Sequence, residues 1–412
     1  MIKKNKRATI NVKQVTRNSK KSIYLDNAAT TPVRPEVLKV MQPYFAKKFG
    51  NASSLHKFGR DAKAALEAAR ETIAKCIGAS ADEIVFTSGG TEANNLAIQG
   101  IALGSRGKGN HIIISSIEHP SVLETCRQLA MMGFSVTELP VDKYGKVNPQ
   151  DVENAITEKT ILVSIMFANN EIGTIQPIKE IAHICKKHNI YFHTDAVQAF
   201  GKLPINVIDI GVDLLSASSH KIGGPKGVGF LYIKKGTKLQ PLLHGGGQEF
   251  NIRSGTENIA GIVGFAAAAE LAVKEMQTEA ERLTKLRDKL IKNILAKIPY
   301  CMLNGHPSER LPNNVNFSFK FIEGEALVLY LDEYGISAST GSACSSKKLK
   351  PSHVLLAIGR TPEEAHGSLR LTLGYDTKEE DINYVLEKLP EVVKRLREIS
   401  PLGKEIKDMV SL

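Results

Sequence analysis

Between about residues 56 and 235 the chain alternates short apolar runs with helical patterns, and this alternation restricts the fold more than any other feature. HKFGRDAKAALEAARETIAKCIG reads as a helix ending at Gly78, and EIVFT (83–87) as a short buried strand. The glycine turn SGGTEANN then runs into a second helix. HIIIS (111–115), TILVSIMFA (160–168), IYFHTD (190–195), DLLSAS (213–218) and GVGFLYI (227–233) read as further strands. HPSVLETCRQLAMMG and PIKEIAHICKKHN supply helices between them. Apolar runs of this length, separated by helices, imply an α/β fold with a mainly parallel sheet covered on both faces. Ligands in such folds sit beyond the carboxyl ends of the strands, so the polar residues at those ends are the candidates for chemistry.

A long helical stretch follows from about Asn258 to Ala296, and beyond it the pattern changes. NVNFSF, the helix EGEALVLYLDEYG, a Ser/Gly-rich loop, the strand SLRLTLG and a closing helix from about Lys378 to Arg397 read as a smaller α+β unit. Hydrophobic residues are 42% of 412, enough for two cores. No apolar run approaches membrane-spanning length, which argues against a transmembrane protein. Five cysteines without a CxxC suit neither a disulfide scaffold nor a local zinc motif, and reduced thiols in the cytoplasm are the simplest reading. The 11 histidines form no HExxH, and no resident metal is expected. Of the net charge of +11, eight basic residues with no acid sit in residues 1–21. That head lacks the apolar core of a secretory signal. It reads as disorder, with a targeting peptide or a nucleic-acid-binding arm as the alternatives.

Four strand ends carry polar residues. In 88-SGGTEANN-95, Gly90 and Thr91 open a helix whose amides can receive an anion, although a structural turn with an N-cap would look the same. Asp195 ends the strand IYFHTD, where it could hold a protonated heteroaromatic nitrogen or cap the next segment. In 216-SASSHKIGGPKG-227, Lys221 suits imine formation with a cofactor aldehyde, and Ser218 and His220 could reach phosphate oxygens. Lys226, the competing lysine, looks like a turn residue. FANNEIG (167–173) places amides at another strand end. His119, before Pro120, reads as a helix cap or as a cover for a flat ring. Together these pieces fit pyridoxal 5′-phosphate, which needs a lysine, an acid opposite its ring nitrogen, a phosphate cup and a ring cover. Cys344 stands apart from the other cysteines, in the loop STGSACSSKKLK. The nearby Lys347, Lys348 and Lys350 favour its thiolate.

The chain resembles the NifS/IscS-like cysteine desulfurases of the class-V aminotransferase group. The resemblance runs from YLDNAATTP (24–32) to ISPL (399–402). Its marks are DNAATTP, SGGTEANN, EHPSV, NNEIGTIQPI, HTDAVQ, SSHKIGGPKG, HGGGQEFNIRSGTEN, GSACSS and SLRLTLG. The resemblance implies fold type I of the pyridoxal-phosphate enzymes, with a seven-stranded sheet. It also implies an N-terminal segment near the active site (23–35), a large cofactor-binding domain (36–275) and a small domain (276–412) carrying the loop at about 339–350; the basic extension (1–22), expected to be disordered, precedes the family's usual start.

Residue by residue, the resemblance makes Lys221 the lysine that holds the cofactor and Asp195 the partner of its ring nitrogen. His119 would stack on the ring and move protons. Asn170 and Gln198 would contact the phenolic oxygen. Gly90, Thr91, Ser218 and His220 would hold the phosphate, and Thr256 would reach the phosphate in the partner subunit of a homodimer. Arg370 and Asn27 would bind the substrate. The implied reaction takes sulfur from L-cysteine, gives L-alanine and leaves a persulfide on Cys344. That sulfur would pass to an iron–sulfur scaffold protein or another acceptor, for cluster assembly or tRNA thiolation. The segment from Cys344 to Pro351 resembles the longer-loop desulfurases, which favours delivery to protein acceptors. A selenocysteine lyase-like enzyme is the alternative.

Overall fold

The computed structural model describes residues 22–341 and 350–400. The chain opens with β1 (Ile23–Tyr24), α1 (Pro35–Ala46) and α2 (Lys57–Ile77). Strands and helices then alternate: β2 (Ile84–Thr87), α3 (Gly90–Gly104), β3 (His111–Ser115), α4 (Pro120–Met131), β4 (Ser135–Leu139), α5 (Pro149–Ala155), β5 (Thr160–Ser164) and α6 (Ile178–Lys187). The series closes with β6 (Tyr191–Asp195), α7 (Val207–Ile210), β7 (Leu214–Ser218) and β8 (Gly229–Ile233). The long α8 (Ile259–Lys297) leads to β9 (Cys301–Leu303), β10 (Asn314–Phe319), α9 (Gly324–Glu333) and β11 (Ile336–Ser337). Further along the chain come α10 (His353–Ala357), α11 (Pro362–His366), β12 (Ser368–Thr372) and α12 (Glu379–Ile399).

Among the described residues, seven strands form one sheet in the order β2-β8-β7-β6-β5-β3-β4. The pairings among β3 to β7 are parallel, whereas β8 runs antiparallel to both β7 and β2. The link from Ser218 to Gly229 is too short for the crossover of a dozen or more residues that a parallel pairing needs. Two reversals cancel, so β2 points the same way as β7. The carboxyl ends of β2, β3, β5, β6 and β7 therefore meet at one edge.

Strand periodicity sorts the apolar side chains onto two faces. Val85, Ile112, Ile114, Leu162, Leu214 and Leu231 pack with residues of α3 and α4. Their neighbours Phe86, Ile113, Val163, Leu215 and Phe230 pack with α2, α6 and the start of α8. Each such buried side chain contributes about 1.5–3 kcal/mol.

A three-stranded antiparallel sheet, β12-β10-β9, builds the second core with α9, α12 and the end of α8. Helix α8, roughly 60 Å long at 1.5 Å per residue, joins the two. Its Ile262 and Phe265 belong to the large core, and its Leu286, Leu290 and Ile294 to the small one. No helix among the described residues is long and apolar enough to cross a membrane.

Some elements were not legible in advance. Strand β4 lies at the sheet edge with only Leu139 buried, so SVTEL lacks the apolar run that marked the others. TILVSIMFA leaves the strand at Ser164, although Phe167 N–H still donates to Asp195 O at 2.9 Å.

Candidate active site

The converging strand ends surround a cavity of about 320 Å³, within the usual range of about 300–1,000 Å³ for small-molecule sites. Gly90, Thr91, His119, Asn170, Asp195, Gln198, Ser218, His220, Lys221 and Arg370 all line it. These residues lie between 90 and 370 in the chain, and they meet because β2, β3, β5, β6 and β7 end at the same edge.

The turn into α3 depends on close backbone approach. A Cβ on Gly229 would come within 2.8 Å of the Gly89 backbone, so β8 can pass the turn only as glycine. A Cβ on Gly90 would lie 2.6 Å from Val197 Cγ2. The start of α3 is thereby pressed against the Asp195–Gln198 turn, with its amides at the cavity wall.

Asp195, 6% exposed, accepts from Val197 N–H at 2.9 Å and from Asn94 Nδ2 at 2.7 Å. It caps the next turn and faces the cavity at once. Asn94 Nδ2 also donates to Ser121 Oγ at 2.8 Å, which lies 2.8 Å from His119 Nδ1. Ser121 N–H donates to that same Nδ1 at 3.1 Å. Nδ1 is therefore the bare nitrogen, and neutral His119 carries its proton on Nε2. Burial holds the His119 pKa below its ordinary value, against the opposing pull of Asp195. His119 is thus a cap of α4 as well as a cavity wall.

Lys221 follows β7 on a single tight turn, and its Nζ donates to Ala28 O at 2.5 Å and Ala29 O at 2.7 Å. Gln198 Nε2 also donates to Ala28 O, at 3.0 Å. The DNAATTP segment thus supplies backbone acceptors, and its two small alanines let the chain come close. His220 lies 3.1 Å from Thr30 Oγ1, and burial, assisted by Lys221, pushes its pKa down to about 4. It is neutral at physiological pH.

Arg370, on β12, reaches into the cavity from the smaller unit. Its Nη2 meets Asp26 Oδ1 at 2.7 Å, and its Nη1 donates to Asn170 O at 3.1 Å and Gly341 O at 3.3 Å. Its Nε has no partner.

Two expected site residues are not brought to this cavity in the single chain. Asn27 lies behind Lys221, and its amide donates to Thr372 O at 2.8 Å. Thr256 is exposed on the 244–258 segment. That segment is anchored by a buried pair between Arg70 and Glu249, at 2.7 and 2.8 Å, and by Arg253 on Glu92 at 2.8 Å. Cys344 lies outside the described residues. Gly341, three residues before it, lines the cavity.

Sequence reasoning passed over Asn94, Ser121, Asp26 and Glu118. All four lay inside quoted motifs, as polar residues beside the ones singled out. Fully buried Glu118 accepts from Ser115 Oγ at 2.5 Å and Met166 N–H at 2.9 Å, and burial pushes its carboxyl up to about 8. Glu171 accepts from Ser352 Oγ at 2.5 Å, which ties the far side of the Cys344 loop to the strand-end segment 167–173.

The four described cysteines sit in or at the start of regular elements. Burial pushes the thiols of Cys126 and Cys185 up to about 12 and that of Cys76 up to about 11, and it raises that of Cys301. All four stay protonated at neutral pH.

The donor set fits pyridoxal 5′-phosphate: a lysine amine, a buried carboxylate held by two donors, a helix start with hydroxyls beside it, and an imidazole wall. Comparison with known proteins agrees. The family model described as aminotransferase class-V matches residues 23–385. Cysteine desulfurase IscS of Dictyoglomus turgidum is 57% identical over 388 residues, covering 94% of this chain and 98% of the relative. Cysteine desulfurase IscS of Methanosarcina thermophila is 58% identical over 382 residues, covering 93% and 94%. The solved structure of a NifS-like protein superposes with a TM-score of 0.86 at 41% identity, covering 91% of this chain and all (100%) of the other. From the cavity's donor set and from likeness along nearly the whole length, the chain belongs to the aminotransferase class-V family and, within it, to the NifS/IscS-like cysteine desulfurases, which are pyridoxal-phosphate enzymes.

Proposed function

We propose that the chain takes the sulfur of L-cysteine onto Cys344, releases L-alanine and passes the sulfur to a protein acceptor. The observation that carries this reading is one cavity lined by Lys221, Asp195, His119 and Arg370, with Gly341 at the foot of the Cys344 loop also in its wall.

When bound, pyridoxal 5′-phosphate supplies a protonated conjugated ring that takes up electron density from the substrate's α-carbon. Lys221 Nζ holds the cofactor aldehyde and later moves the α-proton. Asp195 keeps the ring nitrogen protonated, and the Asn94–Ser121 chain fixes that carboxylate and the His119 tautomer together. His119 presents its imidazole to the ring, with the Nε2 proton available for transfer. Gln198 and Asn170 meet the phenolic oxygen. Gly90, Thr91, Ser218 and His220 hold the phosphate, with neutral His220 as a hydrogen-bonding partner. Arg370 binds the substrate carboxylate, oriented by Asp26, and Asn27 supports that side of the site. The Cys344 thiolate attacks the substrate sulfur, the carbon–sulfur bond breaks with its electron pair left on carbon, and a Cys344 persulfide remains.

A homodimer completes the assignment, with Thr256 reaching the phosphate of the partner subunit's cofactor. Its support is the exposure of Thr256 and of Phe45, Phe49 and Phe58, three aromatic rings left in solvent on one chain. The acceptor is an iron–sulfur scaffold protein or a tRNA-thiolation protein, and the setting is the cytoplasm.

The test is to incubate the loaded protein with L-cysteine and excess thiol reductant and to quantify alanine and sulfide. Equal amounts of both are expected; without L-cysteine neither should exceed a cofactor-free control, and without reductant sulfide should not. Alanine at the control level would overturn the reading. Asp195→Asn should lower alanine formation by about 10²–10³-fold. It removes the charge opposite the ring nitrogen and turns an amide donor toward Asn94 Nδ2 or Val197 N–H. Activity within a few-fold of the parent would refute the role given to Asp195.

A further inference from the structure

Behind Lys221 lies a second cavity of about 90 Å³, between the large core and the smaller unit. Lys221 lines both cavities and forms part of the wall between them. The rear cavity also holds Lys202, four residues beyond Gln198, whose Nζ donates to Gln198 O at 3.1 Å. Gln198 in turn donates to Ala28 O, which is also an acceptor for Lys221 Nζ. The two amines are thus linked through one residue and one carbonyl.

The carboxylates facing this cavity are already engaged. Glu275 is paired with Arg34 at 2.6 Å, and Glu279 with Arg282 at 2.8 Å. The remaining titratable wall is Tyr375, against which the Arg34 guanidinium lies. Among the described residues Lys202 makes no ion pair, so its charge stands without a counter-ion beside Lys221. Asn313 Oδ1, buried and without a hydrogen-bond partner, and Arg34 Nε, which has no hydrogen bond but lies 3.8 Å from Glu36 Oε2, also belong to lining residues. The space is large enough to hold water, which would hydrate these groups without neutralising them.

We propose that Lys202 is a positioning residue for Lys221, a second, half-buried amine whose uncompensated charge disfavours a proton on Lys221 Nζ and so keeps that amine reactive. Burial and the Lys221 charge push Lys202 down to about 7, and Coulomb coupling acts equally in the other direction. The repulsion is mutual, so charge on one amine disfavours charge on the other. A like charge nearby is an established way to prepare a lysine for attack on a carbonyl. The inference rests on Lys221 being the residue that holds the cofactor.

The experiment is a titration of the cofactor absorbance of the loaded enzyme from neutral to alkaline pH, in the parent, Lys202→Met and Lys202→Arg. The midpoint of the Lys221–cofactor linkage should rise by about one unit in Lys202→Met. In Lys202→Arg, where the charge is permanent, it should stay at or below the parent value. The rate at which cofactor-free protein takes up pyridoxal 5′-phosphate should move to higher pH in Lys202→Met in the same way. An unmoved midpoint in Lys202→Met, or equal rises in both variants, overturns the inference while leaving Lys221 in place. A parent protein with no titrating band overturns the assignment of Lys221 and this inference together. If Lys202→Met does not fold, Lys202→Gln supplies the neutral side chain and is read by the same criteria.

Discussion

Lys221→Ala is expected to lower alanine formation by about 10⁴-fold or more, and to remove the absorbance of the linkage between chain and cofactor. The size follows from the two roles proposed for one amine, attachment of the cofactor and transfer of the α-proton. The structure also indicates that the loss is chemical. Of the carbonyls that accept from Lys221 Nζ, Ala28 O keeps Gln198 Nε2 as a donor at 3.0 Å, so the loss falls mainly on Ala29 O. One lost hydrogen bond at a half-buried site costs about 1 kcal/mol, too little to unfold a chain of this size. Spectra, alanine assays and thermal melts on the same preparation separate the cases. A variant that keeps the absorbance band, or turns over at a tenth of the parent rate, would remove Lys221 from its role. A melting temperature far below the parent value would move the explanation from chemistry to folding.

Cys344→Ser is the second large effect. It should leave the cofactor spectrum intact, abolish the persulfide and lower sulfide release by about 10³-fold or more, as loss of an essential nucleophile does. The other described thiols cannot take over. Those of Cys76, Cys126, Cys185 and Cys301 are all raised by burial, and they sit in or at the start of helices and strands away from the cavity wall. A thiol that stays protonated is a poor nucleophile. The measurement is mass spectrometry of the peptide holding Cys344 after one exposure to L-cysteine, with the other cysteine peptides as internal controls. An added sulfur atom is expected on that peptide alone. Full turnover by the serine variant, or sulfur on Cys126 or Cys185, would sink the assignment.

Much of the fold was legible because its signals are local. Runs such as HIIIS and DLLSAS are apolar on both faces, and a strand covered on both sides by helices needs that pattern. Strand β4 escaped notice because an edge strand needs little apolar burial. At the site, the polar residues at the strand ends were identifiable one by one. The local alternatives for Asp195 and His119 proved compatible with facing the cavity, since each makes a cap and lines it too. The hydrogen-bond chain from Asp195 through Asn94 and Ser121 to His119 joins three segments, and no spacing rule announces it.

The amino-acid sequence by itself determined which residue types stand at each strand end, because hydrophobic period and turn chemistry act over a few residues. It also carried the family likeness, since long ordered motifs need no coordinates to be matched. Tertiary structure alone decided which of those residues share a cavity and in what state of charge. Asp26 meets Arg370 across 344 positions of sequence. Asn27, its chain neighbour, turns to the other side of Lys221 and bonds Thr372. Nothing in the sequence singles out Lys202, which packing places in the cavity behind Lys221. The physical reason is that proton affinity and electrostatic coupling depend on distance through space and on the exclusion of water, and both arise only when segments far apart in the chain are packed together.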